Sequence, residues 1–145
     1  MSKVTKKLKQ LQADAHALFI KIHNYHWNVK GMDFAPVHLK TEEIYNNMAL
    51  LYDDTAERVI QLGEKPYLTM TDLAKATKIK EEEGDSFKSK EIVKNIIEDF
   101  EYLHKSFSEL SDAADDANDK ATAAFADDNV AVLEKELWML GSMLK

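Results

Sequence analysis

The chain has no cysteine, only four glycines and only two prolines in 145 residues. Without cysteine there is no disulfide framework, no thiolate metal site and no cysteine nucleophile. So little glycine and proline leaves little turn material, so the elements must be few and long. No apolar run approaches the roughly 18 residues of a membrane span, and the opening MSKVTKKLKQ has no hydrophobic signal core. A cytoplasmic protein without a membrane partner is the expectation. The length suits one domain, residues 1–145, with a single core.

What is present narrows the class further. Hydrophobic residues make up 45% of the chain and charged residues 31%, the balance of a globular protein rather than a disordered one. A net charge of −7 argues against general nucleic-acid binding, because a duplex repels an acidic surface. The charge is uneven: Lys3, Lys6, Lys7 and Lys9 lie in the first ten residues with no acid among them.

Apolar positions 4, 8, 11, 15, 18, 22, 25 and 29 step by three and four, which is one face of a helix. The stripe stops at Gly31, a natural C-terminus, and MDFAP follows as a short connection. Pro36 suits the first turn of a second helix, from about 35 to Gly63, with Val37, Ile44, Met48, Leu51, Val59 and Leu62 inside. Next comes a connector with a short helix near TDLAKAT (residues 71–77) and a polar loop, EEEGDSFKS. Ser89 is positioned to cap a third helix, whose stripe includes Ile92, Ile96, Phe100, Leu103, Phe107 and Leu110. DDANDK interrupts the pattern, with Asn118 or Asp119 as cap of a fourth helix through Leu133, Leu137, Leu140 and Leu144. Two short-looped pairs joined by a long connector predict an all-α, ferritin-like four-helix bundle with a short extra helix in the crossover.

Three of the five histidines fall in HNYHWNVKGMDFAPVH, residues 23–38. His26 precedes the Gly31–Met32 turn by about as many residues as His38 follows it, so an antiparallel hairpin puts them side by side. Two imidazoles at one height are half of a divalent-metal site, or two packed core histidines. The second helix adds Glu42, Glu43, Asp53, Asp54 and Glu57, with Asp53 and Glu57 four apart on one face. A solvated acidic face with an Asp54–Arg58 pair is the alternative. His38 and Asp53 are 15 residues apart, roughly 22 Å along a helix, so no single metal touches both within one chain. Either the two groups are unrelated or a two-fold axis brings the His pair of one chain to the acids of its mate. Such a nitrogen/oxygen site suits Fe(II), Zn(II) or Mn(II).

The segments HNYHWNVKGMDF–VH, DDTAERVIQLG and ELWML, in this order and spacing, resemble the Dps family, mini-ferritins named for DNA protection during starvation. The resemblance spans essentially the whole chain. It implies a hollow dodecamer with ferroxidase centres at two-fold interfaces, His26 and His38 coming from one subunit and Asp53 and Glu57 from the other. Glu42 matches an outlying acidic position of the family's centre. The implied reaction is oxidation of Fe(II) to Fe(III), hydrogen peroxide preferred to oxygen, with ferric mineral stored in the cavity and DNA thereby spared oxidative damage. The histidines would serve as neutral nitrogen donors, so binding falls in acid as they protonate.

Secondary roles follow from the same resemblance. Asp119, Asp127 and Asp128 match the region lining the family's three-fold pores, where acids draw Fe(II) inward; they also suit a helix start without further function. Trp27 fits either a trap for stray radicals beside the centre or an aromatic of the bundle or interface. His23, one turn before His26, suits packing rather than support of the metal ligands, and His16 and His104 suit the surface or a structural role. Glu101 and His104 form an isolated Glu-x-x-His, where larger ferritins use two. DNA-compacting members carry a flexible basic tail, whereas here the basic stretch merges with the first helix. DNA contact, and with it association with the nucleoid, is expected to be weak and salt-sensitive. A DNA-coating protein with iron oxidation secondary is the competing reading, and an acidic bundle that binds a protein partner is a third.

Overall fold

The computed structural model describes every residue from Met1 to Lys145. Ser2 opens the first helix by accepting the Thr5 N–H at 3.1 Å, and α1 runs Lys3–Asn28. Its apolar stripe continues one residue past the helix into β1, Val29–Lys30. The chain then reverses through Gly31, at φ +111°, where a side chain would be strained. It enters α2, Phe34–Gln61, with Pro36 in the first turn, where no N–H is missed.

Gly63, at φ +84°, ends this hairpin and starts the crossover. Thr69 caps the short α3, Met70–Ala76, by accepting the Asp72 N–H at 3.1 Å. The connector ends in β2, Phe87–Lys88, which pairs in parallel with β1, Val29 opposite Phe87. Two residues per strand are too short to leave a sequence signal. Helix α4 spans Ser89–Asp116. The expected Ser89 cap is not made: Lys88 holds the cap position without a side-chain bond, and Ser89 donates to Asp33 Oδ2 at 2.8 Å. The hydroxyl is drawn across to the α1–α2 turn instead. Asn118, at φ +56°, makes the next turn. Asp119 caps α5, Lys120–Ser142, by accepting the Thr122 N–H at 3.1 Å.

The two hairpins, α1–α2 and α4–α5, close over one core of 28 buried residues, drawn from all four long helices together with Val29, Ile79 and Phe87. Leu18, Ile22, Ile44, Phe100, Leu103 and Phe107 are among its fully buried side chains. Each such Leu, Ile or Phe contributes about 1.5–3 kcal/mol relative to exposure. No helix is long and apolar enough to cross a membrane.

Polar side chains of α1 fasten the crossover. The Gln12 amide makes two bonds to the Tyr67 backbone, both at 2.9 Å. Asp14, fully buried, accepts from Gln10, the Thr77 hydroxyl, the Lys78 N–H and the Tyr102 hydroxyl. Asn24 donates to the Glu82 and Gly84 carbonyls. These bonds fasten the crossover along α1, and Asn24 with the strand pair holds its end against the turn that carries the histidines.

Candidate metal centre

The last turn of α1 carries His26 and the second turn of α2 carries His38. The Gly31 reversal sets them face to face, ring centroids 3.7 Å apart and planes within 16°. Each ring reaches across to the other residue's backbone. His26 Nδ1 lies 2.7 Å from the His38 carbonyl, and His38 Nδ1 lies 2.8 Å from the His26 carbonyl. A carbonyl only accepts, so both Nδ1 atoms carry protons and donate. The neutral rings therefore keep their lone pairs on Nε2, the form that binds a metal.

Aromatic neighbours hold the pair in place. Phe34 lies parallel to His38 at 5.0 Å, and Tyr45 meets His26 edge-on at 5.1 Å. His23 stacks on Tyr45 at 3.7 Å and donates from Nδ1 to the Phe19 carbonyl at 2.7 Å, which bears out its packing role. His26 is only 6% exposed, whereas Trp27 is 64% exposed and touches His23 with ring centroids 5.3 Å apart. Trp27 is thus no part of this chain's core.

Asp53 and Glu57, the acids expected to form the other half, are exposed on α2. The neighbouring Asp53 carboxyl, chiefly through its charge, raises Glu57 above the usual carboxylate range, with a smaller push from Asp54. Two acids that crowd each other in this way favour a cation between them. Glu42 is exposed one turn beyond His38. The expected Asp54–Arg58 pair is absent, because Arg58 donates to Asp119, Thr122 and Gln61. Asp119 and Thr122 draw the guanidinium toward the start of α5.

Within one chain, no group of three or more His, Asp or Glu side chains is placed to hold a metal ion. The His pair and the acid pair stand apart on the chain. Of the acids expected at the start of the last helix, only Asp119 lies there, engaged by its cap and by Arg58; α5 begins at Lys120, so Asp127 and Asp128 sit two turns in, both exposed, with Asp127 accepting from the Ser111 hydroxyl at 2.6 Å. His104, from the isolated Glu-x-x-His, bonds Glu134 on α5 at 2.8 Å. His16 sits half-buried against Tyr52. Sequence reasoning missed the reciprocal carbonyl bonds and Thr41, whose hydroxyl lies 3.2 Å from His26 Nδ1. Its position one turn beyond His38 was the only available hint.

Comparison with known proteins agrees with this architecture. The ferritin-like domain family matches residues 5–145. The DNA protection during starvation protein of Helicobacter pylori strain J99 is 53% identical over 137 residues, 94% of this chain and 95% of that protein. The crystal structure of the Helicobacter cinaedi CAIP protein superposes with a TM-score of 0.97 at 56% identity, covering 99% of this chain and all of that one. A Vibrio cholerae Dps, described as a member of a broad superfamily of ferritin-like diiron-carboxylate proteins, superposes at 0.94 with 31% identity, covering 99% and 89% of the two chains. Fold, sequence and spacing together make this chain a member of the Dps family of ferritin-like proteins.

Proposed function

We propose that the protein is a ferroxidase and iron store whose reaction centres are shared between subunits. One observation carries this reading: α2 bears two complementary half-sites, a His pair with free Nε2 atoms and a crowded carboxylate pair, too far apart to meet in one chain. A two-fold dimer joins His26 and His38 of one copy to Asp53 and Glu57 of the other, with Glu42 outlying. Assembly continues to a closed dodecamer that stores ferric mineral. The substrates are Fe(II) and hydrogen peroxide. Two Fe(II) ions each give up one electron, and the peroxide O–O bond breaks to two hydroxides. The imidazoles bind Fe(II) without adding charge, the carboxylates favour the ferric product, and few protein ligands leave positions open for the oxidant. Consuming both reagents protects DNA indirectly. The chain acts as one domain over residues 1–145, in the cytoplasm.

The test is anaerobic loading with Fe(II), then a stoichiometric peroxide pulse, following ferric absorbance and residual peroxide. Oxidation with peroxide consumed, faster than the same load in air, is the expected result. Oxidation no faster than a protein-free blank would sink the reading.

The DNA-coating alternative rests on the lysines of the first turns. Lys7 lies 3.7 Å from Glu109 and the Lys9 ammonium sits over the Tyr67 ring, leaving Lys3 and Lys6 outside those contacts. Twelve copies at −7 each would repel a duplex. Plasmid retardation in moderate salt that disappears on removing Lys3, Lys6, Lys7 and Lys9 would favour the alternative.

A further inference from the structure

The carbonyl of His38, which orients His26, has a second donor within reach, and that donor is Thr41. We infer that Thr41 is a positioning residue that holds His26 in its metal-binding tautomer; the role in Fe(II) binding rests on the ferroxidase reading. The Thr41 hydroxyl oxygen lies 3.2 Å from His26 Nδ1, and the side chain is 1% exposed, so water does not compete for it. A hydroxyl has one proton. Thr41 gives its proton to a carbonyl, Val37 at 2.8 Å or His38 at 3.0 Å. Toward His26 the oxygen is therefore an acceptor.

With the His38 carbonyl at 2.7 Å, both oxygens around His26 Nδ1 accept. The neutral ring is driven to carry its proton there and to present its Nε2 lone pair to Fe(II). Back-bonding alone would not single out Thr41. Thr55 also donates to the carbonyl four residues back, Leu51 at 2.8 Å, but has no imidazole among its hydrogen-bond partners. Tyr45, one turn beyond Thr41, meets the ring edge-on at 5.1 Å and limits its tilt.

Thr41→Val keeps the shape and removes the hydroxyl; Thr41→Ser returns it. In the assembled, metal-free protein with nitrogen-15-labelled histidine, solid-state NMR reads the ring tautomers at a pH where imidazoles are neutral. His26 is assigned by the signals lost in His26→Gln. Thr41→Val leaves the His38 carbonyl as the one acceptor at His26 Nδ1, so a minor second His26 tautomer that the native protein lacks should emerge. It should also weaken anaerobic Fe(II) binding and raise the KM for Fe(II) by about tenfold, with kcat changed by less than about twofold. Thr41→Ser should restore all three. A single native tautomer with near-native Fe(II) affinity in folded Thr41→Val would overturn the inference, as would a folded Thr41→Ser that behaves like Thr41→Val. Should the native protein bind no Fe(II), the ferroxidase reading fails, while the tautomer comparison still decides whether Thr41 positions His26.

Discussion

Arg58, near the end of α2, reaches Asp119, the cap of α5, at 2.8 Å and so ties the two hairpins together at one end of the bundle. Burial pushes the Asp119 carboxyl up, but bonds from the Thr122 hydroxyl and N–H and the Arg58 guanidinium outweigh it and hold the group below the usual carboxylate range. A depressed folded value stabilises the protein above the unfolded one, about 3.9, and that contribution is lost as pH falls through the folded value. Asp119→Ala removes the cap and leaves Arg58 without its acid, at a cost of about 2 kcal/mol. Urea denaturation at neutral pH should show this loss, and the gap between variant and native protein should narrow well into acid.

Subunit mixing tests the shared centre. His26→Ala/His38→Ala chains and Asp53→Ala/Glu57→Ala chains should each be unable to oxidise Fe(II) rapidly, although both assemble. Co-assembled at equal amounts, they should recover about a quarter of native activity, because a mixed two-fold dimer rebuilds one of its two sites. No recovery in a verified mixed assembly would overturn the shared site.

Lys21 and Asp99 make an ion pair at 2.7 Å between α1 and α4, with side chains only 9% and 14% exposed. Burial raises the Asp99 carboxyl, and the Lys21 ammonium only partly offsets it. Lys21→Met leaves the carboxylate buried without its cation and should cost about 3 kcal/mol near neutral pH. A raised folded value means that the contribution is full below the unfolded value and fades as pH rises through the folded one. Lys21→Met should therefore recover on acidification. Adding Asp99→Leu should restore much of the loss at neutral pH, measured by thermal denaturation.

The Asp14 network makes a claim about the crossover. Asp14→Ala strands donors from Gln10, Thr77, Lys78 and Tyr102 at a fully buried position. The expected loss is about 3 kcal/mol. Limited proteolysis should cut first between residues 62 and 88. An unchanged denaturation midpoint and an uncut connector would show that the strand pair and Gln12 hold the crossover without it.

Much of the bundle was legible because helix periodicity is local. A stripe such as Ile92, Ile96, Phe100, Leu103 and Phe107 states which face of α4 is buried before any partner is known. A cap at Asn118 or Asp119 was legible for the same reason, and the structure gives it to Asp119. Ser89 was not, since its hydroxyl serves Asp33 across the fold rather than its own helix. The pairing of Val29 with Phe87 left no trace, because two residues are too few for alternation to register.

The sequence by itself determined the bundle, the facing heights of His26 and His38, and the 15-residue gap that separates them from Asp53 on one helix. These follow from 3.6 residues per turn and a fixed rise per residue. Only the tertiary structure decided that each histidine's Nδ1 is spent on the other's carbonyl and that Thr41 joins the His26 contact. It also decided that Arg58 answers to Asp119 rather than Asp54. Those outcomes depend on which polar groups meet across the turn and between the hairpins, and a hydrogen bond goes to the acceptor that packing brings within reach.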